Sequence, residues 1–284
     1  MLLSVFIKQA TEALSRIYPS PEARGMVFML CEDRLGVKNY THIVEPAYEI
    51  PEDRLGSLLA DLERLCSGEP VQYVLGHTWF CDRMFRVTPA VLIPRPETEQ
   101  LVSEAVSWLK SLDHSPRVLD LCTGSGCIAW SVLHEMPDAL VTAVDISSDA
   151  LAVASSQFPG EKSPVFMEGD VLSDNLPLEE GGFDLLLSNP PYIMNKEKAL
   201  MRSNVLDFEP HLALFVSDDD PLVFYRAVAR WALRLLRPGG AGMVEINEML
   251  GQETAAVFSE AGFCNVELLN DFFGKARIVK FFRK

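Results

Sequence analysis

The chain opens with apolar residues at helical spacing. Leu3, Phe6, Ala10, Leu14 and Ile17 fall on one stripe, which predicts an amphipathic helix over 3–17. A second helix is expected from Pro21, well suited to a first turn, through EARGMVFMLCEDRL to Gly36. A third follows Pro51, with Leu55, Leu58, Leu59, Leu62 and Leu65 on one face, and ends at Gly68. These stripes predict a small helical bundle. Residues 77–89, HTWFCDRMFRVTP, then place aromatic and β-branched residues around CDRM, the pattern of a hairpin. VLIPRPETEQLV (91–102) reads as a proline-bracketed connector leading into a helix through Leu101 and Trp108.

From Arg117 the periodicity alternates. Strands are expected at RVLDL (117–121), LVTAVDI (140–146), PVFMEG (164–169), FDLLLS (183–188) and AGMVEI (241–246). Helices fit near 127–136, 148–157, 221–236 and 250–262. This alternation predicts an α/β fold with a parallel sheet covered on both faces. VELLND (266–271) and ARIVKFF (276–282) flank a turn, so the sheet should end in an antiparallel hairpin.

Composition narrows the function. The chain has 284 residues, 48% of them hydrophobic, ample for one large domain or two modest ones. The net charge is −15, and the imbalance grows along the chain. Residues 1–90 carry 9 Lys+Arg against 12 Asp+Glu, and residues 91–284 carry 16 against 28. Such a surface repels phosphate backbones, which argues against direct nucleic-acid binding. The six cysteines form no CxxC pair, and the five histidines have no metal-ligand spacing, so no metal is expected. No run approaches the length of a membrane span, and the first residues suit an amphipathic helix better than a signal peptide. The expectation is a reduced, cytoplasmic, monomeric protein.

The first parallel strand runs into Asp120-Leu-Cys122-Thr-Gly124-Ser-Gly126-Cys127-Ile-Ala129. Glycines between a strand and a helix let the backbone approach a ligand and turn N–H groups toward it. Asp145, at the end of the next strand and 21 residues beyond Gly124, could accept hydrogen bonds from both hydroxyls of a ribose. The pair implies an adenosine cofactor and does not choose between S-adenosyl-L-methionine and NAD. Asp120 sits where a carboxylate could meet a cationic amino group, which favours the former.

FDLLLS continues directly into Asn189-Pro190-Pro191-Tyr192, at the strand ends that line the ligand crevice in such folds. The prolines fix φ and extend the residue before each, holding Asn189 rigid. Its side-chain oxygen and the Pro190 carbonyl supply two acceptors, matching the two donors of a planar NH2 group, and Tyr192 offers a flat face for stacking. The target is then an amine conjugated to an sp² centre, such as a glutamine amide or an adenine. Its lone pair is delocalised, and acceptors aimed at both N–H groups raise electron density on the nitrogen. No metal or acid–base dyad is needed.

Asp120–Ala129, Asp145, Gly169-Asp170 and Asn189–Tyr192 resemble class I S-adenosylmethionine-dependent methyltransferases acting on amino nitrogens. With Pro70-Val-Gln-Tyr-Val-Leu-Gly76, Leu92-Ile-Pro-Arg-Pro-Glu-Thr-Glu99 and Phe208-Glu-Pro-His-Leu-Ala-Leu214, the chain resembles the peptide chain release factor glutamine-N(5) methyltransferases over nearly its whole length. The resemblance implies methyl transfer to the glutamine of a Gly-Gly-Gln motif. It implies a helical substrate-recognition domain (1–75), a linking hairpin and connector (76–95), and a Rossmann-like seven-stranded methyltransferase domain (96–284). Cys122, Thr123, Gly124, Ser125 and Gly126 would wrap the cofactor. Asp145 would bind its ribose, Asp170 and Val171 would lie near its adenine, and Asn189, Pro190, Pro191 and Tyr192 would hold the glutamine. Cys122 stands where that family often has glycine, so the loop is expected to be less permissive there.

Other classes stay open at this point. An N6-adenine methyltransferase would share the pocket chemistry but needs basic stripes. A glutamine methyltransferase acting on a ribosomal protein would share the substrate group. A nicotinamide-dependent dehydrogenase would need a proton-transferring pair that does not stand out. A helical adaptor on a degenerate methyltransferase fold would not need to keep the loop, Asp145 and Asn189–Tyr192 intact.

Overall fold

The apolar stripes of the N-terminal segment fold as helices that bury them. In the computed structural model, which describes residues 1–284, these are α1 (Leu3–Leu14), α2 (Ser20–Leu35), α3 (Thr41–Val44), α4 (Glu52–Cys66) and α5 (Val71–Leu75). They belong to the first of two units, Met1–His77 with Arg202–Phe208; the second is Thr78–Met201 with Glu209–Lys284. The core of the first unit holds Leu3, Phe6 and Ala10 from α1, Val27 and Leu30 from α2, and Leu58 and Leu65 from α4. Arg34 ties this unit together, donating to Asp61 at 2.7 Å and to the Val74 carbonyl at 2.7 Å. The first helix is shorter than its stripe. It stops at Leu14, and Ile17, in the turn before Pro19, is exposed. The chain returns to this unit late, through α9 (Ser203–Phe208), where Arg202 pairs with Glu22 at 2.7 Å.

In the second unit the hairpin forms from β1 (His77–Phe80) and β2 (Arg83–Arg86). Its turn is Cys81-Asp82 alone, both at positive φ (46° and 58°), the primed-turn geometry that matches strand twist. The helix α6 (Thr98–Leu109) follows the connector. The sheet strands are β3 (Arg117–Leu121), β4 (Leu140–Asp145), β5 (Val165–Glu168) and β6 (Phe183–Ser188), then β9 (Leu236–Glu245), β10 (Cys264–Asn270) and β11 (Ala276–Phe282). A short parallel pair, β7 (Ile193–Met194) and β8 (Phe215–Val216), lies apart from them. The seven strands run in the order β10-β11-β9-β6-β3-β4-β5, parallel except for β11, which is antiparallel to both neighbours. This is the class I methyltransferase fold.

Successive residues of each strand feed opposite cores. Val118, Leu185 and Leu187 join the core that contains α6 and α7 (Cys127–Glu135). Leu119, Leu121 and Leu186 join the core under α11 (Val223–Leu235) and α12 (Gly251–Glu260). Burial on both faces explains why apolar residues follow one another in these strands. β9 departs from expectation. Arg237-Pro-Gly-Gly240 reads as a break before AGMVEI, yet the strand begins at Leu236 and passes through it. Gly239 takes φ +79° and the pairing with β6 shifts register, so a bulge absorbs the prolyl-glycyl segment. No helix is long and apolar enough to cross a membrane.

Gly242 permits the packing on one face. A Cβ built there would lie 2.1 Å from Phe281, whose ring stacks on Phe258 at 4.0 Å between centroids. Gly242→Ala should therefore lower unfolding free energy by about 1–3 kcal/mol in urea titrations; unchanged stability would mean that the Phe281 ring has room to move.

Candidate active site

The site forms where β3, β4, β5 and β6 end on one edge. β3 leads through Cys122–Gly126 into α7, and the loop is pinned by short hydrogen bonds. Thr123 N–H donates to the Val144 carbonyl at 3.1 Å, and Gly126 N–H donates to the Thr123 carbonyl at 2.9 Å. Gly124 N–H donates to Asp145 Oδ2 at 2.8 Å, while Ser147 N–H donates to Asp145 Oδ1 at 2.9 Å. The Asp145 carboxylate is thus oriented by backbone, and each oxygen keeps acceptor capacity. Burial pushes this carboxyl upward, against the pull of N–H donors from Ser147, Gly124 and Ile146.

Gly126 is fixed by φ +78° and by crowding, since a Cβ there would meet Ala154 Cβ at 3.0 Å and Trp130 at 3.1 Å. Cys122 adopts φ +60°, the left-handed region that its departure from glycine makes strained. Burial pushes its thiol up, and all six cysteines are free.

Of the residues singled out in the sequence, Cys122, Thr123, Gly124 and Ser125 line one cleft with Asp145. Asp170, Val171, Asn189 and Pro191 line the same cleft. Gly126, Pro190 and Tyr192 are not among its lining residues. Gly126 begins α7, Pro190 is buried, and Tyr192 is anchored by its hydroxyl, which donates to Glu245 Oε1 at 3.0 Å. Burial, followed by the neighbouring Glu245 carboxylate, holds the Tyr192 phenol well above its ordinary range.

The donor set fits an adenosine-bearing group. A carboxylate with spare lone pairs lies beside apolar walls from Ile146, Val171, Leu172 and Phe224. Asp120 is fully buried behind the loop; its Oδ2 accepts from Thr123 Oγ1 at 2.6 Å, and its Oδ1 has no hydrogen-bond partner.

Several lining residues carried no assigned role in the sequence. Pro94 and Arg95 come from the connector, Thr98 from the start of α6, and Pro210, Leu212 and Ala213 from the segment after α9. Glu209 joins these two stretches, accepting from Ile93 N–H at 3.1 Å and from Arg95 at 2.5 Å while itself 4% exposed. The IPRP and EPHLAL stretches are therefore two halves of one cleft wall, and the family resemblance they carry was the signal for them. Thr98 donates to Glu245 Oε2 at 2.6 Å and accepts from Asn189 Nδ2 at 3.3 Å. That bond engages the amide nitrogen of Asn189 and leaves its oxygen uncommitted.

Known proteins match this chain along its length. A family model described as the methyltransferase small domain matches residues 101–207, and one described as the PrmC N-terminal domain matches residues 6–76. The release factor glutamine methyltransferase of Bacteroides thetaiotaomicron is 41% identical over 278 residues, 98% of each chain. That of Flavobacterium psychrophilum is 37% identical over 287 residues, 99% of each chain. The crystal structure of a release factor-specific protein-(glutamine-N5) methyltransferase from Alicyclobacillus acidocaldarius aligns at 30% identity with a TM-score of 0.41, covering 70% of this chain and 99% of its own.

The buried Asp120 has a measurable signature. Burial pushes its carboxyl from 3.8 up to about 7, the Thr123 hydroxyl opposing and repulsion from Asp145 adding. The folded value lies above the unfolded one. Its contribution to stability is therefore full below pH ~4 and is lost as pH rises through about 7. Denaturant titrations across this window should show a steeper fall in stability for the wild-type protein than for Asp120→Asn; parallel curves would contradict the assignment.

Proposed function

The chain belongs to the release factor glutamine methyltransferase family, and from that premise we propose that it methylates the side-chain amide nitrogen of the glutamine in a release factor's Gly-Gly-Gln motif. It is an S-adenosyl-L-methionine-dependent enzyme. The observation that carries the reading is Asn189, held at the cleft with its NH2 engaged by Thr98 and its oxygen uncommitted.

When bound, S-adenosyl-L-methionine supplies an electrophilic methyl group on a sulfonium centre. Cys122–Gly126 would hold its methionine and ribose portion, with Asp145 accepting from the ribose hydroxyls and Asp170 and Val171 beside the adenine. Asn189 Oδ1 and the Pro190 carbonyl accept the two N–H groups of the glutamine amide, and Pro191 and Tyr192 frame it. These acceptors would orient the nitrogen and draw density onto it, so that its lone pair would form the new N–C bond as the methyl–sulfur bond breaks. S-adenosylhomocysteine would leave, and the surplus N–H proton would pass by way of its acceptor, Asn189 Oδ1 or the Pro190 carbonyl, to solvent. The acceleration comes from positioning and fixed dipoles in a site partly shielded from water.

A protein substrate is favoured over a nucleic acid by the 28 Asp+Glu against 16 Lys+Arg in residues 91–284. The helical region, residues 1–75, is assigned to partner selection, residues 76–95 to a link, and residues 96–284 to catalysis. We take the enzyme to act as a cytoplasmic monomer.

Mass spectrometry of a release factor incubated with enzyme and cofactor should map one added methyl to the Gly-Gly-Gln glutamine, and Asn189→Ala should abolish it. No methyl, or undiminished transfer by that variant, would refute the reading. Asp145→Asn should weaken cofactor binding by roughly ten- to a hundredfold in calorimetry; unchanged affinity would remove Asp145 from the ribose.

A further inference from the structure

We propose that Glu245 is a positioning residue for methyl transfer: through the Thr98 hydroxyl it dictates which end of the Asn189 amide faces the substrate. The inference rests on the reading of Asn189 given above and adds what sets its direction.

Glu245 ends β9 and is 2% exposed, as is Thr98 at the start of α6. Its two oxygens are both used. Thr98 Oγ1 donates to Oε2 at 2.6 Å and the Tyr192 hydroxyl donates to Oε1 at 3.0 Å. Burial raises this carboxyl and the two hydroxyl donors oppose the rise; in its ionised form it only accepts, and the single hydroxyl proton of Thr98 is then committed to it. Thr98 Oγ1 can then only accept from Asn189, whose Nδ2 lies 3.3 Å away. The Asn189 NH2 must point to Thr98, and its carbonyl oxygen must point elsewhere. With both oxygens taken by hydroxyl donors, Glu245 acts through Thr98 and Tyr192.

The chain of hydrogen bonds also polarises in one sense. Negative charge at Glu245 strengthens the acceptor character of Thr98 Oγ1, which draws on the Asn189 NH2 and leaves Oδ1 richer in electron density. In a buried site such coupling is stronger than in water. The same carboxylate holds Tyr192, so both ends of the Asn189–Tyr192 segment are referred to one group. A neutral Gln at 245 breaks the logic. Its NH2 can donate to Thr98, whose proton is then free to turn onto Asn189 Oδ1 and reverse the amide.

The test uses the full-length enzyme, with S-adenosylhomocysteine affinity as the measure of intact fold. Glu245→Gln and Thr98→Val should each lower kcat on a release factor roughly tenfold to a hundredfold, the scale of one hydrogen bond to an ionised group, with KM changed little. Thr98→Ser, which keeps the hydroxyl, should recover most of what Thr98→Val loses. The double variant should be no worse than the poorer single one. Amide resonances of selectively labelled asparagine report the orientation without turnover: the Asn189 NH2 signal should be alike in wild type and Thr98→Ser, and shifted in Thr98→Val. If wild type transfers a methyl and Glu245→Gln matches it in kcat, the relay is wrong and the broader reading stands. If wild type transfers none, the broader reading fails, and the resonances alone decide the relay. An identical Asn189 signal in wild type and Thr98→Val overturns it in either case.

Discussion

The hydrogen bond from Gly124 N–H to the Asp145 carboxylate, 2.8 Å long, closes the loop of one strand onto the end of the next. Much of the site's shape follows from it. The loop can bend that way because Gly124 and Gly126 take positive φ and because Cys122 tolerates φ +60°. With the bend made, Thr123 is drawn between the Val144 carbonyl and the buried Asp120. The cleft then opens between this loop and Asn189, which ends the neighbouring strand β6. β6 pairs in parallel with β3, so the two strand ends are adjacent by topology and no long-range adjustment is required.

Two carboxylates buried behind the cleft hold its polar edge by hydrogen bonds. Asp120 fastens Thr123, and Glu245 fastens Thr98 and Tyr192. Burial drives both carboxyls upward from their ordinary values, and hydroxyl donors pull them back. Such groups destabilise when unpaired and define geometry when paired. The cleft therefore has soft apolar walls beside a rigid polar edge, which suits a site that must present acceptors at fixed angles to a planar amide.

The sheet was legible because its strands are buried on both faces: RVLDL and FDLLLS carry consecutive apolar residues, Val118-Leu119 and Leu185-Leu-Leu187, and β3 and β6 occupy those bounds. The glycine loop, Asp145 and Asn189-Pro-Pro-Tyr192 were legible because each motif is local. What escaped depended on contacts without sequence spacing. Thr98 and Glu245 are 147 residues apart, and Thr98 and Asn189 are 91 apart, so no pattern joins them. The complete burial of Asp120 had no local signature, because burial is a property of the packed sheet. The strand through Arg237-Pro-Gly-Gly240 was hidden by residues that usually end strands and here form a bulge. The return of Arg202–Phe208 to the first unit had no local signature either.

The central claim is that a glutamine amide binds with its N–H groups on Asn189 and Pro190, beside a cofactor whose ribose lies on Asp145. A crystal structure of the enzyme with S-adenosylhomocysteine and a Gly-Gly-Gln-containing release factor domain tests it directly. The account predicts hydrogen bonds from the glutamine amide to Asn189 Oδ1 and the Pro190 carbonyl, with the ribose hydroxyls on the Asp145 carboxylate. A glutamine bound elsewhere, or an Asn189 amide presenting its nitrogen to the substrate, would contradict it.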